Sequence, residues 1–136
     1  MATDKNLSVS FASNHFNRSD QKDYFINPSC FGDDLASWLM AALRTQNIEV
    51  EDDSPDQEDF GWYLNFEIQK SSYSCVILYQ EDCERWLCIL EYNAGLVGSI
   101  FGKRKKPVPE EVAQIFDQIL QSEPDIFQKV EWSNRT

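Results

Sequence analysis

Carboxylates crowd one short stretch of this chain. In IEVEDDSPDQEDFGWYLNFEIQ, residues 48–69, they are Glu49, Glu51, Asp52, Asp53, Asp56, Glu58 and Asp59, with Glu67 further on. Acids at such density can ligate a divalent cation, work as a catalytic pair, face a basic partner, or hold a loop in water. An EF-hand calcium loop needs oxygen ligands at positions 1, 3 and 5, glycine at 6 and glutamate at 12. Counted from Asp52, Gln57 takes the glycine place and Tyr63 the glutamate place. Counted from Asp53, Pro55 falls at position 3. Neither frame makes the loop, and no metal site is expected beyond a loose, weak divalent one. A catalytic pair needs a cleft that drives two carboxyl pKa values apart. Acids beside Ser54-Pro55 have instead the composition of a solvated loop. Two readings of Asp52, Asp53, Asp56, Glu58 and Asp59 remain: a hairpin loop over 51–59, and an electronegative surface for a basic partner.

The other reactive side chains assemble into no known pattern. His15, in SNHFN, is the single histidine, so a Ser-His-Asp or Cys-His arrangement would have to use it. Nothing in the sequence supplies its partner. The four cysteines, Cys30, Cys75, Cys83 and Cys88, have the spacing of no zinc finger or ribbon. Lys103, Arg104, Lys105 and Lys106, in GKRKKP, hold four of the chain's twelve basic residues. Four charges on a loop make a weak, salt-sensitive contact with phosphates. The glycines of NAGLVGSIFGK form neither a dinucleotide nor a P-loop fingerprint. No catalytic residue and no cofactor is expected.

The whole chain narrows the classes further. Its 136 residues suit one domain with one core, and 42% hydrophobic with 13% aromatic residues is too apolar for a disordered chain. A net charge of −11 repels nucleic acid and anionic membrane surfaces. No apolar run is long enough to span a bilayer, and MATDKNLSVSF has no signal-peptide core. The expected place is the cytoplasm, where the cysteines stay thiols.

The elements that must position these residues follow from periodicity. LSVSF (7–11) alternates and reads as a first strand, with a loop over 12–31. GDDLASWLMAALRTQN carries Leu35, Trp38, Leu39, Ala42 and Leu43 on one helical stripe; Asp33 is the expected N-cap and Asn47 the left-handed stop. A short strand is expected at 48–50. Three alternating runs then read as a meander: 60–69, 73–80 and 85–92. A three-residue loop after 69 would set 66 opposite 76. A five-residue turn would set 76 opposite 88. The core face would then hold Trp62, Leu64, Phe66, Ile68, Val76, Leu78, Trp86, Cys88 and Leu90. A short edge strand is expected around 96–101. PVPEEVAQIFDQILQSEP is a second helix with Val112, Ile115, Phe116, Ile119 and Leu120 on its stripe, and a last strand is expected over DIFQKVEW. Residues 1–6 and 133–136 are expected to fray. The fold class is α+β: a mainly antiparallel sheet of about five or six strands, with two amphipathic helices on one face.

That register leaves a second sheet face bearing Tyr63, Asn65, Glu67, Tyr73, Cys75, Ile77, Tyr79, Leu87, Ile89 and Glu91. Tyrosine beside aliphatic residues, with charge at the margin, is the composition of an interface core. With Cys75 there and Cys88 in the core, a disulfide between them is not expected. In outline, a small acidic α+β protein resembles the immunity proteins, which cover a toxin's basic active site, and the secretion chaperones, which are small acidic dimers. The expectation is a non-enzymatic protein-binding module. It would use Tyr63, Asn65, Glu67, Tyr73, Tyr79 and the acidic loop to engage a protein partner or a second copy. The alternative is a small-ligand protein or enzyme whose pocket between sheet and helices uses Tyr63, Asn65, Glu67, Glu91 and His15.

Overall fold

Apolar residues at every second position from Trp62 to Ile68 force one side of that strand into the core, and the rest of the sheet is built outward from it. The computed structural model describes residues 6–16, 31–51, 53–58, 61–92 and 108–135. The strands are β1 (Asn6–Ala12), β2 (Glu49–Val50), β3 (Asp56–Glu58), β4 (Gly61–Ile68), β5 (Ser71–Gln80), β6 (Arg85–Tyr92) and β7 (Gln128–Arg135). The helices are α1 (Asp33–Thr45) and α2 (Glu110–Gln121). The fold is α+β, with a single sheet ordered β2-β4-β5-β6-β1-β7 and β3 also paired to β4. Every described pairing is antiparallel. The expected strand at 96–101, the basic run 103–106, Cys30, Asp52, Asp59, Phe60 and most of the 12–31 loop lie outside the described residues.

Among the described residues the sheet has seven strands, against an expectation of about five or six. The added strand, β3, comes from the stretch read as an acidic loop. Its register sets Asp56 opposite Tyr63, Gln57 opposite Trp62 and Glu58 opposite Gly61. Charge does not prevent pairing here, because a strand on an open sheet sends alternate side chains to solvent. The last strand also reaches Arg135, beyond the expected fraying point, and β1 already begins at Asn6.

Strand β5 runs in the opposite phase to the expected one. Phe66 stands opposite Tyr73, Leu64 opposite Cys75 and Trp62 opposite Ile77. The turn into β5 is two residues, Gln69 and Lys70, both with positive φ (51° and 68°). This is the backbone of a type I′ hairpin, whose twist matches that of the strands. On the far side Ile77 meets Cys88 and Tyr79 meets Trp86, across the turn 81–84. Each turn is one residue shorter than expected. The two slips cancel in β6, whose Trp86, Cys88 and Leu90 are buried as expected.

The core face of the sheet and the buried stripes of both helices belong to one apolar cluster. Phe116 of α2 approaches Phe66 with ring centroids 5.4 Å apart, and Trp132 of β7 donates its indole N–H to Asp117 Oδ1 at 2.9 Å. The N-cap of α1 is Gly32, not Asp33. Its φ of 135° suits glycine, and a Cβ there would come within 3.0 Å of Ile77 Cγ2. Asp33 and Asp34 fall instead in the first turn, where the helix dipole favours acids. At the other end Asn47 is left-handed (φ 63°), as expected.

Candidate functional site

Antiparallel register decides which side chains share the outer face, because directly opposed residues point the same way. One row across the sheet runs Asp56, Tyr63, Val76, Ile89, Ser8, Ser133. The next row holds Leu78, Leu87, Ser10 and Glu131, and on the other side lie Asn65, Ser74 and Glu91. At the sheet edge Glu49, Glu67 and Ser72 form a short row of their own. The middle of the face is therefore apolar, made by Tyr63, Val76, Leu78, Leu87 and Ile89. All five are half-buried. None belongs to the core cluster or to the partly buried residues packed against it.

The immediate border of this strip is polar, with Asn65, Ser74, Ser8, Ser10, Gln80 and Arg85. Carboxylates stand beside or beyond it: Asp56 and Glu91 next to the strip, and Glu49, Glu51, Glu67 and Glu131 further out. Glu51 joins the face through its N–H, which donates to the Asn65 carbonyl at 3.0 Å, and through its carboxylate, which accepts from Ser72 Oγ at 3.1 Å. Ser74 Oγ donates to Asn65 Oδ1 at 2.7 Å and orients that amide. Among the side chains described on this face, the base is Arg85. Its guanidinium donates to Ser10 Oγ at 3.0 and 3.2 Å and to the Lys129 carbonyl. These bonds tie β6 to β1 and to the β7 bulge, where Lys129 has a φ of 54°.

The expected site residues divide. Tyr63, Asn65, Glu67 and Asp56 do meet on one face. Tyr73 and Tyr79 do not join them. Tyr73 is 5% exposed and stacks on Phe66 in the core, and Tyr79 packs on Trp86 with centroids 4.8 Å apart. Cys75 and Ile77 turn inward with them, and Val76 and Leu78 take their place outside. Asp53 is exposed in the segment between β2 and β3, and Glu58 occupies the β3 position opposite Gly61. A signal for the true phase stood in β5 itself. Its odd positions 73, 75, 77 and 79 are all apolar, whereas 72, 74 and 80 are Ser, Ser and Gln.

Cys75 and Cys88 therefore lie on the same side after all. Both are buried free thiols, and they hydrogen-bond to each other. That bond, then burial, then the charge a Cys88 thiolate would carry, push the Cys75 thiol well above its ordinary pKa. Cys83 is exposed in the β5–β6 turn.

Among the described residues, neither of two cavities brings together the residues named for a pocket. His15 is exposed and lies edge-on to Phe16. Tyr63, Asn65, Glu67 and Glu91 stand on the outer face rather than between sheet and helices. One cavity of about 290 Å³ lies between the helices at Trp38, Ala42, Thr45 and Ile119. A second of about 310 Å³ lies at Ser13, Asn14, Cys83, Arg85 and Lys129. Neither contains any of the five. Among the described residues no three His, Cys, Asp or Glu side chains gather as metal ligands, and no helix is long and apolar enough to cross a membrane.

Comparison with protein-family models, curated proteins and solved structures finds no match to this chain.

Proposed function

We propose that this chain is a non-enzymatic protein-binding module whose contact surface is the outer face of the sheet. The buried stripes of the two helices belong to the core on the other face, and Val76, Leu78, Leu87 and Ile89 form the strip that a partner would meet. The observation that carries this reading is their position: half-buried apolar side chains, outside the core cluster, with a polar border and carboxylates beside and beyond it. An apolar centre with a polar rim is the anatomy of a specific protein interface. The acids would steer encounter, and the strip would supply most of the contact energy. This is the logic by which an immunity protein or a secretion chaperone masks a surface on its client.

A photo-crosslinking residue tests the reading directly. Placed at Leu87, it should give a discrete protein adduct in cells. Placed at Gln118, exposed on α2, it should not. Adducts from Gln118 alone, or none from either position, would remove the proposed face.

A further inference from the structure

We infer that the occupant of the outer face is a protein surface with an apolar patch beside arginine or lysine, and not a second copy of this chain. The inference rests on the reading of that face as a binding surface and names the chemistry of its partner. Glu49 and Glu67 are directly opposed across β2 and β4. Opposed residues in such a pair have Cβ atoms about 4.5–5.5 Å apart, and like charges there destabilise the sheet. Glu51 adds a third carboxylate beside Ser72. Arg85, two strands away, has its guanidinium engaged by Ser10 and the Lys129 carbonyl. The corner of the sheet beyond the Asn65–Ser74 row thus carries a concentrated negative field, while the described base on the face is engaged elsewhere. A second copy of a chain with net charge −11 would bring the same field against it. A cationic side chain from a partner would instead lie between the opposed carboxylates and remove their repulsion.

The consequence is an unusual pair of signs. Removing the acids should stabilise the free protein and weaken the complex. Three double variants separate the causes: Glu49→Gln with Glu67→Gln, Glu81→Gln with Glu84→Gln in the exposed β5–β6 turn, and Leu78→Thr with Leu87→Thr on the strip. The probe is a short amphipathic helical peptide of leucine and arginine, with its leucine–glutamate counterpart as control, titrated by calorimetry. The edge variant should bind the arginine peptide about tenfold more weakly and melt about 1–3 °C higher. The turn variant, with the same change in charge, should shift binding less than about twofold. Equal weakening by the turn variant would reduce the effect to net charge and overturn the inference. So would preference for the glutamate peptide, or a dimer in sedimentation that the strip variant abolishes. If the strip variant weakens binding and the edge variant does not, the cationic partner falls but the face stands. If neither variant weakens binding, both readings fall.

Discussion

Phe66 and Tyr73 face each other across β4 and β5 and stack with ring centroids 5.7 Å apart. The pairing sits in the core, where Tyr73 is buried. Tyr63, three positions before Phe66, points the other way.

The two tyrosines should therefore respond differently to truncation. Tyr73→Ala removes a core aromatic and should cost about 3–5 kcal/mol in urea unfolding. Tyr63→Ala should cost about 1 kcal/mol, the scale of cross-strand pairs on an open face. Similar losses from both would mean that β5 does not set Tyr73 opposite Phe66.

Gly61 lies where β4 has no room for a side chain beside β5. A Cβ at Gly61 would come within 2.4 Å of the Ile77 carbonyl oxygen and 2.8 Å of Leu78 Cδ2. The backbone oxygen cannot move aside as a flexible side chain could. Gly61→Ala should cost about 1–3 kcal/mol and weaken the β3 pairing, read as faster amide exchange there. An unchanged urea midpoint would contradict the close approach.

The Cys75–Cys88 pair gives a pH dependence. Hydrogen bonding to Cys88 and burial raise the folded Cys75 pKa above its unfolded value. The native state therefore holds a proton that the unfolded state loses first. The corresponding stability is fully present below the unfolded thiol value, about 8.5, and is lost as pH rises towards the folded one. Melting temperature should decline above that pH more steeply in the native protein than in Cys75→Ala. In the folded protein at neutral pH, iodoacetamide should modify exposed Cys83 long before Cys75 or Cys88. Parallel alkaline slopes, or early labelling of Cys75, would contradict the buried pair.

What the sequence made legible was the phase of the strands with strong alternation and the stripes of the helices. Trp62, Leu64 and Phe66 in β4, Trp86, Cys88 and Leu90 in β6, and Phe116 in α2 lie in the core as their spacing requires. The phase of β5 was lost at its turns. Gln69-Lys70 lacks the Asn-Gly signal of a type I′ turn yet adopts its backbone, because sheet pairing on both sides overrides local preference. Part of the candidate face moved with that strand: Tyr73, Cys75, Ile77 and Tyr79 left it, and Val76 and Leu78 entered. Strand β3 was hidden because acidic residues have low strand propensity, and its pairing depends on a neighbour found only in three dimensions. The opposition of Glu49 and Glu67 was hidden for the same reason, since no periodicity relates the two.

Binding of a basic partner on the outer face of the sheet is tested most directly by the amide and side-chain NMR spectrum of the protein titrated with the leucine–arginine peptide. Perturbed resonances should fall on Glu49, Tyr63, Glu67, Val76, Leu78, Leu87 and Ile89, and leave α1 and α2 unmoved. Perturbations centred on the helices, or spread evenly over exposed acids including Glu81 and Glu84, would contradict it.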